Sequence, residues 1–286
     1  MATGTAPRGP RSRRKLAATI GFHTTASLVS VLWLLPIALI LVISVRSFDD
    51  IAANGLGSLP HSFTLDGFRQ AWTGGGQRQA LINSMAVTVP AVLASLALAS
   101  VAAFALSRYP VPFRRTILLI MLGGNLLPPQ VLLIPVSKLT ELLGVYDTRT
   151  ALIAVQVGFG VGFYVFVLHG FMRAIPAEIQ QAAVIDGAGP TQIFWHVVLP
   201  LTRPALAALS ALSFTWIFND LLWAITVLRT DAKMPVTASL IGLQGQYVSM
   251  WNVIAAGSVI AAAPTIAVFL RFQRHFIAGL NLGAVK

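Results

Sequence analysis

The sequence predicts an all-α polytopic membrane protein with six transmembrane helices. Three observations lead there. The chain of 286 residues is 56% hydrophobic and only 10% charged, against roughly 25% charged residues in soluble domains. Its few charges leave long stretches free of Asp, Glu, Lys and Arg. The loops between those stretches divide the Lys and Arg residues unequally.

About 20 apolar residues cross a hydrocarbon core of roughly 30 Å. The first candidate span is 16–45. A basic start followed by an apolar run also resembles a secretory signal, but the apolar part, 20–45, is longer than the typical signal core, so an uncleaved first helix is expected. The connection 46–78 carries the turn signals Asn54-Gly55, Pro60 and Gly74-Gly75-Gly76, with one short helix expected around 65–72. Spans two and three follow at 79–107 and 116–137. Pro110 and Pro112 between them prevent a continuous helix, and the short connection predicts antiparallel neighbours. Asn125, Pro128 and Pro129 predict a kink in the third span. The fourth is 150–172. The fifth, 204–228, is interrupted only by Asp220, in its outer part. The sixth lies in 234–270 and is apolar from about Trp251 onward.

Charge tests this count. With the N-terminus inside, 13 of the 20 Lys and Arg residues fall in inner segments and seven in outer ones, as the positive-inside rule expects. Both termini are therefore expected in the cytoplasm. The organisation reads as a basic start at 1–15, a six-helix domain at 16–270 and a tail at 271–286. The excess of basic residues sets orientation, so no nucleic-acid partner is expected. The absence of cysteine excludes a disulfide framework, a thiolate metal site and a cysteine nucleophile. No G-x-x-x-x-G-K-[ST], H-E-x-x-H or G-x-S-x-G stretch occurs, and the five histidines are scattered. No catalytic residue, metal or cofactor is expected.

The segment 173–203, RAIPAEIQQAAVIDGAGPTQIFWHVVLPLTR, is too polar to span and too apolar for a solvated loop. It predicts two short helices. Pro176 and Glu178 suit a first helical turn, and Gly187 suits a left-handed helix end. Pro190 restarts a helix that Pro200 is expected to stop. Ile179, Ala182 and Ala183 share one face; Ile193, Phe194, Val197 and Val198 share another. Such apolar faces need a cover, from the chain's own bundle, the membrane surface or a partner.

This segment resembles the EAA loop of ABC importer permeases, which reads roughly EAA, three residues, G, nine residues, I, one residue, LP. Ala182 and Ala183 match, followed by Asp186, Gly187 and Ala188, then Val197 at the isoleucine position and Leu199-Pro200. The family glutamate is Gln181 here, with Glu178 one turn earlier; glutamine keeps hydrogen-bonding capacity but not the charge. The tail RFQRHFIAGLNLGAVK, the stretch LPHSFTLDGFRQAW and the segment FTWIFNDLLWAITVL resemble the carbohydrate branch, in particular the smaller maltose-type permease. The resemblance implies a heterodimer with a second permease subunit, two cytoplasmic ATP-binding subunits, an extracytoplasmic solute-binding protein, a sugar substrate and a bacterial inner-membrane location. It implies ATPase coupling through Glu178, Gln181, Ala182, Ala183, Asp186, Gly187, Val197, Leu199 and Pro200.

Within the spans, Trp216, Asn219 and Asp220 are candidates for the translocation pathway, because ionisable residues there usually face a bundle interior or aqueous cavity. An interfacial position near a helix end also accounts for Asp220. Gly158 and Gly162 form a small-xxx-small pair that predicts close helix packing. Trp216, Trp223 and Trp251 are expected near outer boundaries as aromatic anchors, with sugar stacking the alternative. A non-sugar importer, a six-helix membrane enzyme and a secondary transporter are the competing classes. The enzyme would need clustered acids or histidines, and the secondary transporter repeated broken helices.

Overall fold

The computed structural model describes residues 10–243 and 250–284, with side chains over 18–243 and 250–273. Residues 1–9 of the basic start, and the side chains of most of the tail that carries part of the resemblance, therefore lie outside what is described. Helices dominate: α1 (Pro10–Ser44), α2 (Phe48–Asn54), α3 (Asp66–Thr73), α4 (Gln77–Arg108), α5 (Arg114–Leu126), α6 (Pro129–Leu142) and α7 (Arg149–Ala174). Then come α8 (Ala177–Ile185), α9 (Pro190–Leu201), α10 (Arg203–Phe218), α11 (Leu222–Val227), α12 (Val236–Gly242) and α13 (Trp251–Ala284).

Among the described residues, four helices are long and apolar enough to cross a membrane, and six spans result if each of two bent pairs counts as one. The first pair is α5 and α6, bent by 97°. The expected kink is thus a full break, because Pro128 and Pro129 supply no N–H to carry the helix on. The second pair is α9 and α10, bent by 73°. The fifth span differs from its expected course. It stops at Phe218, and Asp220 sits in the gap before α11.

The core forms where α4 and α7 pack together. Ala91, Ser95, Ala99 and Ala103 recur every four residues on α4 and are buried. Small side chains at this spacing let the backbones approach, and Val165, Leu168 and Met172 of α7 belong to the same buried cluster. The short connection after α4 does not make α5 its neighbour as expected; α5 packs on α7 instead. Pro110 and Pro112, with Phe113 held at φ 55°, turn the chain away. Helix α1 stands almost fully exposed and meets α13. A nearly bare apolar helix is what lipid would surround.

The connection 46–78 is more ordered than the sequence suggests. Two short helices form there, and Arg46, fully buried, donates to Asp50 Oδ2 at 2.8 Å and to the carbonyls of Gly55 and Ser58. The guanidinium holds the Asp50 carboxyl well below the usual carboxylate range. At the same end, Asn83 donates to the carbonyls of Ala232 and Met234 and accepts from Arg149. Asp147 accepts from Lys233, Thr230 and the Arg229 amide, and Lys233 above all keeps its carboxyl ionised to low pH. Polar groups thus tie the start of α7 to the segment between α11 and α12.

Candidate coupling site

The segment between α7 and α10 folds as two short helices around a glycine turn. Helix α8 starts just after Pro176, which occupies the N-cap rather than the first turn. Glu178 lies in that turn, exposed, where a carboxylate complements the helix dipole. The helix ends as expected. Gly187 adopts φ +83°, its N–H reaches Val184 O at 3.0 Å, and the Ala188 N–H reaches Ala183 O at 2.9 Å. These two bonds make a Schellman motif, with Ala188 and Ala183 both packed on the core as its apolar contact. The motif fixes the angle at which α8 leaves α9.

Helix α9 roots this unit. Ile193, Phe194 and Val198 are buried, and the Phe194 ring lies 5.1 Å from that of Phe104. The face that might have needed an outside partner is therefore covered by the chain's own core. Pro200 does not stop the helix as expected. A π-turn over Ile193–Val198 precedes it, with the Leu199 N–H bonded to Phe194 O. The wider turn accommodates the proline ring and its missing N–H, and the chain redirects after Leu201. Val197, Leu199 and Pro200 are half-buried; Val197 and Leu199 pack on the core.

The free surface belongs to α8. Gln181, Ala182, Asp186 and Gly187 are exposed, Ile179 and Val184 likewise, and Ile185 is 85% exposed. An apolar side chain left so open on a polar end of the molecule invites a protein cover. A cleft of about 600 Å³ runs between α8 and the end of α4, lined by Arg108, Ala177, Gln180, Gln181, Val184 and Ile185 among others. Arg108, which sequence reasoning missed, donates to the carbonyls of Met172 and Ile175. It thereby caps α7 with a cation where the helix dipole favours one and ties α4 to the start of α8. A basic residue in the last turn of one span was the available signal, but its partner is a backbone 64 residues on.

The three pathway candidates occupy the end of α10. Trp216 is half-exposed and packs against Phe163 at 5.3 Å. Asn219 is exposed and donates to Thr215 O at 2.8 Å and Thr265 Oγ1 at 3.4 Å. Asp220 is half-buried; its Oδ2 accepts from the Trp223 amide at 3.1 Å, and its carbonyl accepts from Thr237. Its carboxylate is engaged in starting α11. Trp223 is no interfacial anchor: it is buried and stacked on Phe159 at 4.6 Å.

Residues 91–281, which include the whole α8–α9 unit, match the family described as the binding-protein-dependent transport system inner membrane component. The chain belongs to that family. The permease chain is 33% identical over 233 residues to the alpha-glucoside transport system permease protein of Rhizobium meliloti. That alignment covers 79% of the permease chain but 61% of the relative, so the chain spans less than two thirds of it. It is 31% identical over 255 residues to the trehalose transport system permease protein of Mycobacterium tuberculosis, covering 88% of this chain and 92% of that one. Among solved structures, a bacterial ABC transporter involved in the import of the acidic polysaccharide alginate superposes with a TM-score of 0.81. Identity there is 25%, over 95% of the permease chain and 100% of its counterpart. The fold is that of an ABC importer permease, and the protein is a membrane transport component.

Proposed function

We propose that the chain is the transmembrane subunit of an ATP-binding cassette importer for a sugar or oligosaccharide in the bacterial inner membrane. It forms half of the translocation pathway beside a second permease subunit. Two cytoplasmic ATP-binding subunits drive it, and an extracytoplasmic solute-binding protein delivers the cargo. The match of 91–281 to the transport family carries this reading, and the relatives named for alpha-glucosides and trehalose support the substrate class.

In this reading α8 is the surface that meets the ATPase, with Glu178, Gln181, Ala182 and Asp186 on it. Ala183, Val197, Leu199 and Pro200 position it from below, and Gly187 sets its angle. Trp216 and Asn219 face the pathway, and Asp220 holds the break that lets them do so. The chain supplies no ATP site of its own.

Proteoliposomes holding both permeases and the ATP-binding subunits, with the binding protein added, test the assignment. An alpha-glucoside or another oligosaccharide is expected to stimulate hydrolysis, whereas the purified chain alone hydrolyses none. Stimulation by amino acids or polyamines and by no sugar would overturn the substrate class. Orientation has its own test, kept clean by the absence of cysteine. A cysteine at Ala53, in α2, should react with an impermeant thiol reagent applied to cells stripped of any outer barrier, and one at Ala177, at the start of α8, should not. Both positions are exposed. Reaction at both from outside would sink the six-span topology.

A further inference from the structure

Positive charge gathers at one end of the α5–α7 contact. Gly162 of α7 lies so close to α5 that a Cβ there would stand 2.5 Å from Met121 O. Leu127, past the end of α5, and Gly158, a turn before Gly162 on α7, line one cavity, so the two helices run in opposite directions. Seven residues onward along α7 therefore face seven residues back along α5, which sets His169 opposite Arg114. Arg173 lies one turn beyond His169 on the same face, and both arginines act electrostatically on the imidazole.

His169 is 8% exposed, and its Nε2 has no hydrogen-bond partner. A buried polar atom left so is costly and points to a missing partner. The start of α5 adds free backbone N–H groups, since no side chain caps it. Among the described residues, none of Arg114, Arg115 and Arg173 forms an ion pair. Donors and positive charge thus converge with no acid to answer them.

The surroundings favour a lipid. Arg114 and Arg115 stand directly before the apolar run of the third span, at the level where headgroup phosphates lie. Phe113 beside them is 82% exposed, in a left-handed conformation that an aromatic residue rarely adopts. Leu119 and Ile120, farther along α5, are exposed as well. We propose that the cluster formed by Arg114, His169, Arg173 and the start of α5 binds the phosphate group of an anionic phospholipid, from the leaflet on the α8 side. The inference rests on the membrane reading, and not on the cargo or the role of α8.

Native mass spectrometry of the full chain in detergent tests it, with phosphatidylglycerol and phosphatidylcholine of identical acyl chains as probes. Phosphatidylglycerol is expected to be retained in preference. Arg114→Gln and Arg173→Gln should each lower that retention about fivefold, while Arg78→Gln at the opposite end leaves it unchanged. His169→Gln, which can still donate, should retain more lipid than His169→Leu. Equal retention of the two lipids, or full retention in Arg114→Gln, would overturn the site. Displacement of the lipid by micromolar inorganic phosphate would keep a phosphate site but overturn the lipid as its occupant. Loss of the ATP-binding subunit from the Arg114→Gln complex with lipid retention unchanged would also overturn it, assigning these arginines to a protein contact.

Discussion

Replacing Gly187 with valine is expected to abolish substrate uptake while the helical body stays inserted and paired with its sister subunit. The φ of +83° is one that a side chain resists, and nothing lies within 4 Å of where a Cβ would stand. The penalty is therefore conformational rather than steric. It amounts to about 1–2 kcal/mol for the left-handed geometry, and β-branching adds to it. That is too little to unfold the α4–α7 core. It is enough to open the Schellman bonds to Val184 and Ala183 and re-aim α8. Helix α9 stays rooted by Ile193, Phe194 and Val198, so the whole error falls on the exposed face of α8.

The neighbouring Gly189→Val is the matched control. Its backbone is extended, with φ −74° and ψ 167°, and a Cβ there meets only Gln192 Oε1 at 4.0 Å. Uptake by cells and co-purification of the ATP-binding subunit are the readouts, each expected to fall at least about tenfold in Gly187→Val and little in Gly189→Val. A tenfold loss corresponds to about 1.4 kcal/mol, within reach of the strain. Normal uptake in Gly187→Val would reduce the turn to a connector.

Much of this was legible in the sequence because its physics is local. Charge-free length located α4 and α7 closely at both ends, whereas α1 and α13 run on beyond the stretches expected for them, to Pro10 and Ala284. The residue order around Gly187 identified its turn, since only glycine adopts that conformation freely. Other features depend on the tertiary context. Whether Ile193 and Phe194 face a partner or their own core is decided by where Phe104 stands, about 90 residues earlier in the chain. Asp220 read as an acid inside a span because Leu221 to Leu228 continue the apolar run; nothing local announced that its carboxylate would take the Trp223 amide and break the helix. The fold of 46–64 turns on one buried arginine, and a charged residue at a span end gives no sign of being buried. Pairing of α5 with α7 rather than α4 likewise follows from the backbone at Phe113, whose positive φ no residue preference predicts.

Gly158 and Gly162 of α7 should part company under the same substitution, although the sequence pairs them. A Cβ at Gly162 would meet Met121 O at 2.5 Å and Asn125 Nδ2 at 2.9 Å, whereas at Gly158 nothing lies within 4 Å. The first conflict is with backbone, which cannot rotate aside as a side chain can. The Asn125 amide is itself bonded to Met121 O at 3.0 Å, so both obstacles belong to one short turn of α5 before the break. Gly162→Ala must push α5 off α7, a change in the range of about 1–3 kcal/mol for overpacking. Gly158→Ala fills open space in a cavity of about 300 Å³ lined by Met121, Asn125 and Phe159 among others. Thermal unfolding in detergent should show a clearly lower midpoint for Gly162→Ala and one near the parent for Gly158→Ala. Because the α5 and α6 pair has few other contacts with the body, its loosening should also lower the yield of assembled importer. Equal midpoints for the two variants would mean that α5 does not rest on α7 through Gly162, and the close approach would no longer account for the glycine there.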